Sequence, residues 1–507
     1  MMCPAGPSRP LYRAAQVREL DRRTIAAGID GFALMQRASA AAWQVLRQRW
    51  PAVRSLGVLC GGGNNGGDGH VLAALAAAEG LAVRRILLKP IDELSGDARR
   101  AADMATAAGV AAEPWRPDRA PSDELLVDAM LGTGLSGEVR GAFREAIAAV
   151  NASDRPVLAL DIPSGLHADT GAVLGEAVRA TLTVTFIGDK LGLHTGAAAD
   201  RVGELVFRAL GVNAEAETDL PPAARLLDIA ALADRLPPRR RAAHKGDCGH
   251  ALVLGGAPGF GGAALLAAEA CARLGTGKIS LATAPEHVTA SLVRRPEVMV
   301  HGVRGAADLG ELPGHADVLV VGPGLGQASW GQGVLQAALD VGRPLVVDAD
   351  GLNLLAARFP GLRRDDWVLT PHPGEAARLL GVSAAEVEAD RPAAVAELQR
   401  RRGGAIILKG AGSLVAGPGG LAVCPYGNPG MASGGMGDAL SGMLGALLAQ
   451  GVPLEAAARL GVVIHARAAD LAAADGGERG LLAGDLASYA RFLVNPAMGG
   501  DDAAATR

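Results

Sequence analysis

Two stretches of this sequence combine glycine with oxygen-bearing side chains in a way that suggests chemistry. The first is Gly61-Gly62-Gly63-Asn64-Asn65-Gly66-Gly67-Asp68-Gly69. A glycine-rich turn that opens a helix presents unpaired backbone N–H groups and a positive dipole end, which suits an anion. The oxygens of Asn64, Asn65 and Asp68 also suit a hard cation, and further oxygens recur at Asp128 in LLVDAMLGTGLSGEVRG and at Asp161 and Ser164 in ALDIPSGLHADTG. The second stretch is Asn428-Pro429-Gly430-Met431-Ala432-Ser433-Gly434-Gly435-Met436-Gly437-Asp438. Here glycine N–H groups can close around phosphate, while Asp438 can take a proton from a hydroxyl. Plain turns, with Asp438 as a helix N-cap, are the competing readings.

Positioning these residues calls for strand ends. From residue 56 onward SLGVLC, VRRILL, LLVDAM, VLALDI and TLTVTF alternate with Ala- and Leu-rich stretches, the pattern of a parallel sheet covered on both faces by helices. The first glycine-rich turn is expected to end at a helix His70 to Ala78. Upstream, Ala14 to Leu46 reads as one or two amphipathic helices interrupted near Gly28 to Gly31. A second series follows in ALVLGG, KISLAT, ADVLVVGPG, PLVVDADG, DWVLTPHPGE, AIILKG and LAVCPYG, and the helix after the second glycine-rich segment is expected from Ala439 to Gln450. Between the series, two Pro-Pro pairs and a basic run over residues 213 to 241 have linker composition, which places the boundary near Asp219. The expected architecture is α/β in two domains, 1–218 and 219–507.

At 507 residues two domains are the natural division, and 49% hydrophobic with 20% charged residues is a globular balance. A net charge of −4 and 3% aromatic residues argue against a nucleic-acid binder, which would carry a basic stripe or aromatic stacking platforms. Cys3, Cys60, Cys248, Cys271 and Cys424 show no CxxC pairing, which fits a reducing compartment. With no apolar leader and no membrane-length apolar run, the expectation is a cytoplasmic protein with no membrane partner.

Gly61, Gly63 and Gly66 formally satisfy GxGxxG. A dehydrogenase site would place an acid at the end of the next strand, where VRRILLKP has Arg84 and Arg85 instead. An NADP-type site remains open but gives Asn64, Asn65 and Asp68 no role. Taken together, YRAAQVRELDRRTI, GGGNNGGDG, DAMLGTGLSGEVRG, LDIPSGLHADTG and GDKLGLHTG resemble the NAD(P)H-hydrate epimerase family over residues 12 to 212. The resemblance implies a Rossmann-like three-layer αβα domain. It implies that Asn64, Asn65, Gly66, Gly67 and Asp68, then Gly132, Thr133, Gly134, Leu135, Ser136, Gly137 and Glu138, and Asp161 hold the hydrated nucleotide. It also implies that Asn65, Asp128 and Ser164 hold a potassium ion. Asp161 is the candidate for proton transfer at the hydrated ring. The family's usual Met-Glu-x-Ala-Gly run is Met35-Gln36-Arg37-Ala38-Ser39 here, which removes a carboxylate.

No GxxxxGK[ST] occurs, so a P-loop is excluded. The ordered set HKGDCGHALVLGGAPGFGGAALLAAEACARLGTGKISLAT, VGPGLG, VDADGLNLL, LTPHPGE, LKGAGSLV and NPGMASGGMGDALSG is similar to the NAD(P)H-hydrate dehydratase branch of the ribokinase-like superfamily, over about residues 240 to 490. By that resemblance Ala263, Gly324, His372 and Asp438 match hydrate-binding positions, with Asp438 catalytic. Lys409, Gly410, Ala411, Gly412 and Ser413, with Gly437, match the nucleotide site. The resemblance implies ADP as co-substrate, magnesium as helper, and hydrated NADH and NADPH (NADHX and NADPHX) as substrates; a homo-oligomer is expected. Asp348 and Asp350 could bind the divalent ion or cap a helix near Leu352. Two other functions compete: a small-molecule kinase leaving a stable phosphate ester, and a first domain that only binds.

Overall fold

The computed structural model describes residues 8–119, 121–212, 219–231 and 236–495. Cys3 and residues 213–218 of the expected linker lie outside them. The chain forms two compact units that part between Ala224 and Arg225. The Pro221 carbonyl accepts a hydrogen bond from the Gln16 amide, 2.7 Å, which keeps the first Pro-Pro pair with the first unit rather than with the second.

The first unit carries seven parallel strands in the order Ala111–Pro114, Ala82–Leu87, Ser55–Cys60, Leu125–Ala129, Val157–Leu160, Leu182–Phe186, Glu204–Arg208. All five strands expected from sequence are present; Ala111–Pro114 and Glu204–Arg208 are additional. Leu56, Val58 and Cys60 face a core shared with the helices Ala14–Ala26, Gly31–Arg49 and Asn64–Ala78. Leu59 faces the opposite core, built around the helix Gly141–Ala152. This alternation gives three αβα layers. The order in which the chain adds strands reverses between Ser55–Cys60 and Leu125–Ala129, so a crevice opens beyond their carboxyl ends.

One boundary differs from expectation. The helix starts at Asn64, not His70, so Asn64, Asn65 and Asp68 stand in its first turns rather than in a loop. The glycines that suggested a loop are packing positions. A Cβ on Gly66 would collide with the Gly61 carbonyl, and one on Gly67 would stand 2.6 Å from Met35 Cε.

The second unit is built on a mixed sheet in the order Ala224–Leu226, Gly420–Val423, Leu414–Gly417, Ala405–Leu408, Trp367–Leu369, Leu345–Val347, Val318–Val321, His250–Leu254, Lys278–Thr283, Met299–Gly302. Pairing is parallel except on both sides of Leu414–Gly417. The helices Gly261–Arg273, Met436–Ala449 and Leu454–Gly476 share one core with the sheet. Ser329–Asp340 and Arg391–Arg402 pack against its strands as well. Here too the helix starts early, at Met436 rather than Ala439. Cys60, Cys248, Cys271 and Cys424 are free and buried. Among the described residues no helix is long and apolar enough to cross a membrane.

Two candidate active sites

In the first unit a cavity of about 660 Å³ opens at the carboxyl ends of the strands. Asn64, Asn65, Asp68, Gly132, Thr133, Gly134, Leu135, Ser136 and Asp161 all line it. Gly66, Gly67, Gly137 and Glu138 are not in its lining. Gly66 and Gly67 are buried in helix packing, and Glu138 points outward beside Arg140.

Asp161 immediately follows the strand Val157–Leu160 with φ 64°, a left-handed backbone that Asp tolerates better than most residues. Its Oδ1 accepts from the Phe186 amide at 3.2 Å and from the Thr185 hydroxyl at 3.4 Å, and it forms an ion pair with Lys190. Lys190 is fully buried; its Nζ also donates to Thr185 Oγ1 at 3.0 Å and to the Phe186 carbonyl at 2.9 Å. Ile187, also in the lining, has φ 66°, a true outlier for a β-branched residue. Such backbone strain is concentrated where the surrounding structure imposes a site geometry.

The three residues expected to hold potassium stand together. Asp128 Oδ1 accepts from the Ser164 hydroxyl at 2.6 Å and Oδ2 from the Ser164 amide at 2.7 Å. Ser164 Oγ accepts in turn from the Leu131 amide at 2.8 Å, and Asn65 Nδ2 donates to the Leu131 carbonyl at 3.2 Å. Burial pushes the Asp128 carboxyl up to about 6 against the lowering effect of the Ser164 and Met130 hydrogen bonds. Asn65 Oδ1 is buried with no partner among the described residues, the condition expected of an oxygen kept for a ligand.

Sequence reasoning missed Lys190, although it stands in the quoted motif GDKLGLHTG, and missed Asp21 of YRAAQVRELDRRTI, which also lines the cavity. The motif departure at Gln36 falls elsewhere. Gln36 is exposed and outside the cavity lining, while the buried Ser39 hydroxyl donates to the Met35 and Asp68 carbonyls at 2.9 and 3.0 Å.

In the second unit the motif loops interlock. The Ala257 amide donates to the Gly324 carbonyl at 2.7 Å, and Gly324 is required both by its φ of 58° and by the space, since a Cβ there would meet the Phe260 carbonyl at 2.5 Å and Ala263 Cβ at 3.2 Å. The Gly326 amide donates to Asp350 Oδ2 at 3.0 Å. Asp348, fully buried, accepts from Lys409 Nζ at 2.6 Å and from the Ser441 hydroxyl at 2.8 Å. Asp348 stands at a helix N-cap position yet makes no capping hydrogen bond, so it serves chiefly as the partner of Lys409. Lys409 is no ordinary surface lysine. Burial works against its charge, but Asp348, Glu375 and Asp438 more than offset this and raise its pKa.

His372 caps the helix Pro373–Leu380: its Nδ1 accepts from the Gly374 amide at 3.0 Å, and its own amide donates to Glu375 Oε2 at 2.8 Å. Glu375 lies 3.7 Å from Lys409 Nζ, so His372 is tied to the same cluster. Ser413 closes the Lys409–Ser413 turn by donating to the Gly410 carbonyl at 2.9 Å. A Cβ on Gly437 would lie 3.2 Å from Lys409 Nζ, which sets that turn against the Met436–Ala449 helix. Asp438 is in the first turn of this helix but makes no cap; Gly435 holds the N-cap position with φ 90°. Burial, then repulsion from Asp348, push the Asp438 carboxyl up to about 7, with Lys409 pulling the other way. A carboxyl poised near neutrality beside a helix N-terminus and a lysine can take a proton next to a phosphate-bearing ligand.

Comparison with known proteins matches this division. Residues 31–192 match the family described as YjeF-related protein N-terminus, and residues 251–491 match the family described as NAD(P)H-hydrate dehydratase. A bifunctional NAD(P)H-hydrate repair enzyme from Coxiella burnetii is 48% identical over 487 residues, covering 96% of this chain and 99% of its own. One from Escherichia coli is 43% identical over 476 residues, covering 92% and 90%. A solved ADP/ATP-dependent NAD(P)H-hydrate dehydratase from Bacillus subtilis, co-crystallised with ATP and Mg2+, is 28% identical over 53% of this chain and 96% of its own, with a TM-score of 0.47. On the near full-length identity to these relatives, the chain belongs to the family of bifunctional NAD(P)H-hydrate repair enzymes.

Proposed function

We propose that the two sites act in succession on hydrated NADH and NADPH: the first unit interconverts the R and S hydrates, and the second dehydrates the S hydrate with ADP. The observation that carries this reading is the pairing, in one chain, of two sites of different chemistry. One is a cavity with a fixed carboxylate and lysine, and the other is a glycine-rich helix start with a near-neutral carboxyl and a half-buried lysine paired to a buried carboxylate.

In the second unit Asp438 takes the proton of the ring hydroxyl as the terminal phosphoryl group of ADP passes to that oxygen, leaving AMP. The ring nitrogen's lone pair then expels inorganic phosphate, and loss of a ring proton restores the dihydropyridine. Phosphate is a far better leaving group than hydroxide at neutral pH. Lys409, held by Asp348, stands to meet nucleotide phosphate, and the N–H groups around Gly437 stand to meet the transferring group. Ala263, Gly324 and His372 hold the hydrate.

In the first unit Asp161 handles the proton of the hydrated carbon's hydroxyl. The Asn65, Asp128 and Ser164 oxygens fit a monovalent ion such as potassium: one carboxylate supplies too little charge for tight divalent binding, and Asn65 Oδ1 is free to ligate. When bound, the ion supplies positive charge beside the anionic nucleotide. Magnesium has no comparable cradle among the described residues. Asp348 is engaged by Lys409 and Ser441, and Asp350 by Gly326 and Gln327, so the ion would be carried on nucleotide phosphates.

The test is product stoichiometry. With S hydrate and ADP, the reading requires one NAD(P)H, one AMP and one free phosphate per turnover. A stable phosphate ester without recovery of NAD(P)H absorbance would make the second unit a kinase.

A further inference from the structure

Epimerisation needs a proton given as well as one taken. In ring opening, the hydroxyl loses its proton, its oxygen becomes a carbonyl, the carbon–nitrogen bond breaks, and the ring nitrogen gains a proton; reclosure on the other face reverses each transfer. In loss of water, the hydroxyl gains a proton and leaves, the nitrogen lone pair forms an iminium, and water adds from the other face with loss of a proton. Both routes balance without any oxidant, and each needs a proton donor and a proton acceptor at the ring.

Asp161 is suited to only one of these roles. Its Oδ1 is occupied by the Lys190 ammonium, the Thr185 hydroxyl and the Phe186 amide, three donors arranged around an acceptor. We propose that Asp21, on the helix Ala14–Ala26, is the proton donor that works with Asp161 in this cavity. The inference rests on the reading of the cavity as the epimerase site.

The charged side chains lining the cavity are Arg18, Asp21, Asp68, Asp97, Asp161 and Lys190. Arg18 is exposed at its edge, and Asp97 is paired with Arg100 at 2.9 Å. Asp21, Asp68 and Asp161 therefore interact around a single buried ammonium, that of Lys190. One ammonium neutralises one carboxylate, so like charge and burial push the others toward the protonated form. Asp68 is pushed well above the carboxylate range by burial and by both neighbouring carboxylates. Asp21 is pushed only to about 6, first by burial and then by Asp161, with Lys190 pulling it down. It can therefore lose and regain a proton near neutrality. Its position in the lining places it on the ligand's side of the cavity.

The experiment measures R-to-S equilibration by full-length protein without ADP, corrected for spontaneous epimerisation, alongside calorimetric binding of the hydrate. Asp21→Asn is expected to lower kcat at least a hundredfold with hydrate affinity within threefold, and Asp21→Glu to restore part of the rate. The wild-type rate should fall as pH rises above about 6, and this titration should vanish in Asp21→Asn. An Asp21→Asn protein keeping more than a tenth of the rate overturns the assignment; so does an Asp21→Glu protein no faster than Asp21→Asn, including where the Asn variant binds poorly. Wild-type protein that binds no hydrate in this cavity would instead overturn the epimerase reading, and this inference with it.

Discussion

Lys409 and the buried Asp348 form an ion pair of 2.6 Å between two strand ends, and the Ser441 hydroxyl of the Asp438-bearing helix completes it at 2.8 Å. The pair fixes both the Lys409 ammonium and the first turn that carries Asp438. Removing one partner leaves a buried, uncompensated charge, which typically costs about 3–5 kcal/mol. Lys409→Met should thus lower the denaturant midpoint of the second unit, and adding Asp348→Asn should recover part of the loss. Unchanged stability in Lys409→Met would contradict the pair's structural role.

The Asp438 carboxyl must be ionised to act as a base, and its pKa lies near 7. For ADP-dependent dehydration, kcat/KM should therefore rise with pH through about 7 and level off above it. Asp438→Asn should abolish this rise and lower the rate by about a hundred- to ten-thousand-fold. A variant retaining more than a tenth of the wild-type rate would not have lost its base.

Potassium should accelerate the first unit's reaction relative to sodium, and Asn65→Ala should erase the difference, because the orphaned Asn65 Oδ1 is the oxygen with no other occupation. Equal epimerisation rates in the two salts would remove the cation from the account.

Gln36→Glu, which restores the carboxylate usual in the family, should change the epimerisation rate by less than about twofold, since Gln36 is exposed and outside the cavity. A large gain would show that this position reaches the site in some other way.

Much of this was legible in the sequence because strand ends announce themselves. Asp128, Asp161 and Lys409 each follow or end a β-type run that is buried throughout, so a polar residue at its end marks where the chain leaves the core. The helix starts at Asn64 and Met436 were not legible, because glycine reads as a loop former whereas here it admits close backbone approach within a helix. Ala111–Pro114 escaped because it is short and largely exposed, with no apolar alternation. Lys190 escaped because its meaning depends on Asp161, a neighbour distant in sequence, and Asp21 because one acid on an amphipathic helix resembles any solvated one.

If the two sites act in sequence on one damaged cofactor, Asp161→Ala separates them. One active site can align the ring hydroxyl, Asp438 and the phosphoryl donor for only one configuration, so dehydration should accept only the S hydrate. The measurement is the time course of NAD(P)H absorbance recovery from a defined mixture of R and S hydrates with excess ADP. Wild-type protein should convert the mixture completely, whereas Asp161→Ala should stop once the S share is spent, apart from slow spontaneous epimerisation. An Asp161→Ala protein that recovers both isomers at the wild-type rate would contradict the account.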